Sequence, residues 1–266
     1  MIASPSPNSS GFSVHRKPPP AKLTVYDQKF YAAHHERSLR SARVIVPRLL
    51  SFIKVRSVVD VGCGLGTWLK AFQENGVADV AGYDGGYVDR AALLIDQRLF
   101  SSVDLREDFL IPRRFDLAIS LEVAEHLPEN CANSLVYRLT TVAPAVLFSA
   151  AIPGQGGAEH LNEQWQDYWR NIFLSYGFHP VDLIRPGVRG WSNVAWFYQQ
   201  NAIFYCQDEF LSEHQNLQAV EPTVSLNLVH PALYNSYREQ EMYLTKALRL
   251  LPELAVRAIR SRLWKA

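Results

Sequence analysis

The stretch Val58-Val59-Asp60-Val61-Gly62-Cys63-Gly64-Leu65-Gly66-Thr67-Trp68 decides the fold. A β-branched apolar run ends in an acid, a G-x-G-x-G turn follows, and a helical pattern opens at Thr67. This order describes a buried parallel strand that delivers a glycine loop to a nucleotide-like ligand. Glycine suits such a loop because the backbone turns tightly and approaches a ligand with no Cβ in the way. The dinucleotide fingerprint G-x-G-x-x-G has its third glycine one position later, where this chain carries Thr67.

Outward from this loop, strand and helix patterns alternate. Strands are expected at Ser57–Val61, Asp79–Tyr83 (ending at Asp84), Phe100–Val103 (ending at Asp104), Phe115–Ser120, Ala145–Ile152, Phe178–Ile184 and Trp196–Cys206. Helices are expected at Thr67–Asn75, stopped by Gly76, at Pro128–Thr141, and at Asn162–Tyr176, ended by Gly177. A further helix, roughly Val25 to Leu50, precedes them, with Pro47 a candidate interruption; its Tyr26, Phe30 and Tyr31 are placed either to cover the ligand cleft or simply to cover the sheet. Repeated β-α-β order implies a Rossmann-like, doubly wound, mostly parallel α/β sheet.

Length and composition set the frame. The chain has 266 residues, 48% of them hydrophobic, and a formal net charge of +1. One sizeable globular domain with appendages is expected, and the charge balance argues against a general nucleic-acid or anionic-surface binder. Cys63, Cys131 and Cys206 are odd in number and far apart, which fits neither a disulfide framework nor a zinc-thiolate site. With no hydrophobic signal core and no membrane-length apolar run, a cytoplasmic location is expected. Residues 1–22, rich in Ser, Pro and Asn, read as a disordered tail. Residues 23–207 form the α/β domain with its N-terminal helical cap, and 208–266 a C-terminal helical extension. Within that extension 208–229 looks irregular and 231–266 helical, with a break expected at Pro252. Arg257, Arg260, Arg262 and Lys265 beside Leu254, Val256, Ile259, Leu263 and Trp264 make its end basic and amphipathic, suited to packing on the protein itself, on a sister subunit or on a membrane surface.

The glycine loop, with Asp60 ahead of it and acids at the ends of the next two strands, resembles the first motifs of class I S-adenosylmethionine (SAM) methyltransferases. The resemblance covers roughly Tyr26 to Cys206. It implies a seven-stranded sheet with an antiparallel last strand and a loop that passes beneath the methionine part of the cofactor. Asp84, about twenty residues beyond the first glycine, is positioned to accept hydrogen bonds from the ribose hydroxyls. The resemblance assigns Asp104 to the adenine amino group and Ser120 and Leu121 to the methionine end. The cofactor-binding set is thus Asp60, Gly62, Cys63, Gly64, Gly66, Trp68, Asp84, Asp104, Ser120 and Leu121.

The run Ser120-Leu121-Glu122-Val123-Ala124-Glu125-His126-Leu127-Pro128 follows the fourth strand, at the edge where open α/β sheets bind ligands. If it is helical, Glu122, Glu125 and His126 share a face. After the fifth strand comes Pro153-Gly154-Gln155-Gly156-Gly157-Ala158-Glu159-His160, a glycine-rich loop facing the same edge. Carboxylates and imidazoles that converge there bind a divalent cation or form an acid–base site. The E-x-x-E-H segment and the later histidine resemble two metal-dependent O-methyltransferase families, the small-RNA 3′-terminal 2′-O-methyltransferases and the ubiquinone-pathway catechol O-methyltransferases. That resemblance makes Glu122, Glu125, His126 and His160 candidate ligands of Mg²⁺ or another divalent metal, and the candidate catalytic set. A metal-free site, with His126 or His160 as general base, stays open.

The longer block from Ser120 to Trp165 is similar to bacterial methyltransferases of glycan and secondary-metabolite assembly, which implies a small, hydroxyl-rich acceptor such as a sugar or glycoside. Trp165, Trp169, Trp191 and Trp196 are platforms for such an acceptor or ordinary buried aromatics. A nucleic-acid acceptor is disfavoured by the absence of a basic face. The expectation is a SAM-dependent O-methyltransferase. The rivals are a metal-free N- or C-methyltransferase and a non-catalytic SAM-binding scaffold.

Overall fold

The structure is a computed structural model that describes residues 25–220, 225–241, 243, 245, 250 and 251, with side chains from Glu36 onward. The expected tail (1–22), the basic residues from 254 on, the break at Pro252 and the side chains of Tyr26, Phe30 and Tyr31 lie outside the described residues.

Seven strands form one sheet: β1 (Ser57–Val61), β2 (Asp79–Asp84), β3 (Phe100–Ser102), β4 (Leu117–Leu121), β5 (Ala145–Ser149), β6 (His179–Val181) and β7 (Ile203–Cys206), in the order β3-β2-β1-β4-β5-β7-β6. β1 pairs in parallel with β2 and β4, β2 with β3, and β4 with β5; β7 runs antiparallel to both β5 and β6. All five residues of β1, β4, β5 and four of four in β7 are buried. That burial is the reason these strands read as continuous apolar runs rather than alternating ones. The parallel pairing brings the carboxyl ends of β1, β2, β4 and β5 to one edge.

A separate core covers each face. On one, α1 (Val25–Phe52) and α2 (Thr67–Glu74) pack on Val58 and Ile119; on the other, α3 (Ala132–Val142) and α4 (Gln166–Ser175) pack on Val59, Val61 and Ala118. α1 buries Ala42, Ile45, Val46 and Leu49 completely, the spacing of one helical face. Pro47 does not interrupt it. An interior proline costs about 3 kcal/mol, whereas each buried Ile, Val or Leu contributes roughly 1.5–3 kcal/mol, so its neighbours outweigh it.

Two expectations are corrected. The segment expected as a strand from Trp196 is a helix, α6 (Trp196–Asn201), and only Ile203–Cys206 is extended. Tyr198, Gln199, Gln200 and Asn201 are all buried and reach partners on several elements (below). A helical turn sends successive side chains in different directions, which a strand's two faces do not allow. Residues 208–229 are not wholly irregular either. They contain α7 (Asp208–Glu213) and α8 (Gln215–Gln218), anchored by buried Phe210 and Leu217, and residues 231–241 are helical. α5 (Arg185–Val188) follows β6 and begins on a buried ion pair, with Arg185 Nε and Nη2 at 2.8 and 2.7 Å from Asp182. Among the described residues no helix is long and apolar enough to cross a membrane.

Candidate active site

The glycine loop leaves β1 at the binding edge. Gly62, Gly64 and Gly66 have φ of +88°, +52° and +77°, the left-handed region that glycine enters without steric cost. At Gly62 a Cβ would run into the side chain of Val123, and at Gly66 it would crowd Ile95. The loop is thus closed against the segment that carries Glu122 and Glu125. Beneath it Asp60 is 2% exposed, with Oδ2 lacking any hydrogen bond. Burial, and next to it the Asp84 carboxylate, push the Asp60 carboxyl well above the usual range. A buried carboxylate oxygen without a donor is costly, which leaves Asp60 Oδ2 open to a donor.

Asp84 stands at the end of β2, almost fully buried. Oδ2 accepts the Gly64 N–H at 2.6 Å; Oδ1 accepts the Gly85 N–H and the Tyr87 hydroxyl, each at 2.6 Å. The carboxylate therefore braces the glycine loop, and the Tyr87 side chain, although its residue is 84% exposed, rests over Gly85. Asp104 turns out to cap its own turn. It accepts the Arg106 N–H at 3.0 Å and pairs with the Arg106 guanidinium at 2.6 Å. Ser120 Oγ donates to the Val61 carbonyl at 2.8 Å, tying β4 to β1 just below the loop, and Leu121 is buried. Cys63 and Trp68 are buried beside them; Trp68 Nε1 donates to Tyr198 Oη at 3.4 Å.

Glu122 has φ of +56°, a conformation that costs a residue with a Cβ about 1–2 kcal/mol. Its N–H is held at 3.0 Å by both the carbonyl and the hydroxyl of Ser149 on β5. Its carboxylate points into an amide cluster: Gln155 Nε2 donates to Oε2 at 2.9 Å and Asn201 Nδ2 to Oε1 at 3.1 Å. Burial raises the Glu122 carboxyl, and these donors oppose the rise.

The chain then makes one 3₁₀ turn, Ala124–His126, instead of an α-helix, so Glu122 does not share a face with Glu125 and His126. The groups that converge are Glu125, His126 and His160, which each place a ligand atom within 4.8 Å of the others. The backbone builds this meeting: the N–H groups of Leu161 and Asn162 donate to the Glu125 carbonyl at 2.7 and 3.0 Å, and the two imidazoles meet edge to face at 4.9 Å. Glu125 is 1% exposed and its Oε2 has no partner. Burial, then the neighbouring Glu122 carboxylate, hold its carboxyl well above the usual value. Desolvation of the ring, then His160, lower the His126 imidazole from its ordinary value, although the residue as a whole is exposed; the shift favours the neutral form that ligates a metal or accepts a proton.

Glu163 has no part in the expected site, yet it organises the glycine-rich loop. Oε1 accepts from His160 Nδ1 at 2.7 Å and from the Gly156 N–H at 2.8 Å, and Oε2 accepts the Gly154 N–H at 2.6 Å. A carboxylate on Nδ1 makes that nitrogen the donor and leaves the lone pair on Nε2, the usual arrangement behind a metal-bound histidine. Its position three residues after His160 was visible in the chain. Gln155, Tyr198, Gln200 and Asn201 were also missed, the last three because they lie in the stretch expected as a strand. Of the tryptophans, Trp169 is a buried core residue, whereas Trp165 and Trp191 are exposed.

Residues 32–180 match the family model described as a methyltransferase domain, and the chain belongs to that family. It is thereby a methyltransferase. Among curated proteins none matches. Among solved structures, Streptomyces venezuelae DesVI is similar at 16% identity and a TM-score of 0.51, over 69% of this chain and 96% of that one. Magnesium protoporphyrin IX methyltransferase from Synechocystis, with bound SAM, is similar at 18% identity and 0.48, over 71% and 87%. An O-methyltransferase family protein from Burkholderia thailandensis is similar at 12% and 0.48, over 68% of this chain and 60% of that one. At such identities the likeness concerns the fold.

Proposed function

We propose that the chain is a SAM-dependent O-methyltransferase that acts on a hydroxyl of a small polyhydroxylated acceptor, such as a sugar or glycoside, with the help of a divalent metal. The observation that carries this reading is the convergence of Glu125, His126 and His160 on a segment packed directly against Gly62 of the glycine loop. SAM, when bound, would supply a sulfonium-activated methyl group, with the thioether as leaving group. Gly62, Cys63, Gly64, Gly66 and Trp68 frame its methionine end together with Ser120 and Leu121. Asp60 would hold the ammonium, and Asp84 would hold the ribose through the oxygen that the Tyr87 hydroxyl occupies. Asp104, whose pairing with Arg106 is a surface one and so weak, is offered to the adenine amino group.

The orphaned Glu125 Oε2 and two imidazoles fit a metal ion. Such an ion lowers the pKa of a coordinated hydroxyl. One carboxylate and two nitrogens suit a borderline transition ion better than Mg²⁺, which prefers oxygen ligands. Glu125, His126 and His160 would hold it, Glu163 would orient His160, and Glu122 keeps the amide cluster of Gln155 and Asn201 in register beside them. Positioning is central because methyl transfer is an in-line displacement, and orientation supplies much of its rate.

The test is methyl transfer to a vicinal-diol acceptor before and after chelation with EDTA, with wild type and His160→Ala. Loss of activity on chelation, with recovery by Mn²⁺, Co²⁺ or Zn²⁺ ahead of Mg²⁺, is expected. Full activity after thorough chelation and in His160→Ala overturns the metal, and leaves His126 as the candidate base.

A further inference from the structure

We propose that the acceptor carries an anionic group, a phosphate or a carboxylate, and that a cleft between α1 and the loop before α6 receives it; this inference rests on the methyltransferase reading above. The cleft has a volume of about 360 Å³ and is lined by Arg37 and Arg40 of α1, by Trp191, Asn193 and Gln199, and by His230, among others, with no acidic side chain in its walls. Arg37 and Arg40 are three apart on one helix and therefore share a face. Neither takes part in an ion pair among the described residues, unlike Arg43 one turn on, which is bound at 2.8 Å by Glu74. A third guanidinium, Arg189, is near enough to His230 to press its pKa down, after burial. Guanidiniums on one wall with no ion pair among the described residues favour the planar, two-oxygen groups of phosphates and carboxylates.

The cleft is built rather than incidental. Gln199 Nε2 donates to the carbonyls of Trp191 and Val194 at 2.9 and 2.7 Å, and its Oε1 accepts the Gly190 N–H at 2.7 Å. One buried amide thus holds the loop that presents Trp191, which is half exposed and offers a flat face beside the arginines. The loop is pinned to α1 by the Ala195 N–H on Ser41 Oγ at 2.9 Å, and α6 by the Ser38–Tyr198 hydroxyl pair at 2.6 Å.

The same helix joins the cleft to the chemistry. While Gln199 faces the cleft, Gln200 Oε1 accepts the His230 N–H at 2.7 Å and its Nε2 donates to Gln155 at 3.0 Å, and Asn201 donates to Glu122. α6 is therefore the shared wall of the arginine cleft and the amide cluster at the candidate active site. An anionic group seated there holds the rest of the acceptor toward the methyl group, so that remote binding energy serves the reaction.

Isothermal titration of the full chain with pyrophosphate, glucuronate and glucose tests this, with S-adenosylhomocysteine titrated separately. Wild type is expected to bind one of the anions at least about tenfold more tightly than glucose, and more weakly as salt rises. Pyrophosphate ahead of glucuronate assigns a phosphate, the reverse a carboxylate. Arg37→Ala/Arg40→Ala is expected to lose at least about tenfold in anion affinity, Arg37→Lys/Arg40→Lys less, and both to keep their S-adenosylhomocysteine affinity within about twofold, since the two side chains are exposed and lie outside the glycine loop. No anion binding by wild type, or binding that the alanine variant retains, overturns the proposal. Anion binding without S-adenosylhomocysteine binding sinks the methyltransferase reading instead.

Discussion

The imidazoles of His126 and His160 meet edge to face, 4.9 Å between ring centroids, although one follows β4 and the other follows β5. The contact exists because the Glu125 carbonyl accepts two N–H groups from the far segment, those of Leu161 and Asn162. The candidate active site is thus a backbone-fixed junction of two loops, and six variants probe how it and its surroundings work.

Glu163 holds His160 and two glycine N–H groups with one carboxylate. Glu163→Ala is expected to weaken binding of Zn²⁺ or Mn²⁺ about 10–100-fold, with Glu163→Gln less affected. Metal titration calorimetry reads this directly. Unchanged affinity in the alanine variant removes the orienting role.

At Gly62 the backbone has φ of +88° and a Cβ meets Val123. Gly62→Ala is expected to cost about 2–4 kcal/mol of stability, from strain together with overpacking, and to weaken S-adenosylhomocysteine binding at least about tenfold. Urea unfolding and calorimetry measure the two effects. A variant as stable as wild type contradicts the close approach.

Asp60 is a buried acid whose folded pKa is raised by burial and by Asp84. Folding therefore favours its protonated form. Stability is lost as pH rises from its unfolded pKa toward the folded one, and the penalty persists above that. Asp60→Asn removes the penalty. At neutral pH the variant is expected to be about 1–3 kcal/mol more stable than wild type, and the difference is expected to shrink as pH falls below the unfolded value. Binding of S-adenosylhomocysteine should weaken in the same variant. Thermal unfolding across this range checks the sign, and a variant less stable at neutral pH refutes it.

Arg185 is 3% exposed, pairs with Asp182, and donates to the carbonyls of Gln200 and Leu226 at 3.1 and 2.7 Å. Arg185→Met takes the guanidinium from a buried carboxylate and from the Leu226 carbonyl, while Gln166 Nε2 still donates to the Gln200 carbonyl at 3.2 Å; a cost of about 3–5 kcal/mol is expected. Arg185→Met/Asp182→Leu is expected to recover a large part of it. Denaturant midpoints compare the two, and equal losses in both variants would show that the carbonyls, not Asp182, dominate.

How much of this was legible in the chain differs element by element. β1 and its loop were readable because a fully buried parallel strand admits little but β-branched apolar residues, and the turn after it admits little but glycine. Asp60 and Asp84 were visible at strand ends for the same local reason. Asp104 was visible too, but its side chain serves its own turn, as an aspartate's short reach allows. α6 was misread because Trp196-Phe197-Tyr198 has the aromatic content of a strand, while its helical form is set by what surrounds Gln199, Gln200 and Asn201.

The sequence by itself determined the order of the strands, the glycine loop and the sheet edge that the loop faces, since these rest on period, burial and backbone freedom within short windows. Only the tertiary structure decided that Glu125, His126 and His160 converge while Glu122 turns aside into amides, that Glu163 orients His160, and that Arg37 and Arg40 face a cleft walled by α6. Those relationships depend on 3₁₀ rather than α geometry after β4, on a positive φ at Glu122, and on hydrogen bonds between segments far apart in the chain, none of which local residue spacing encodes.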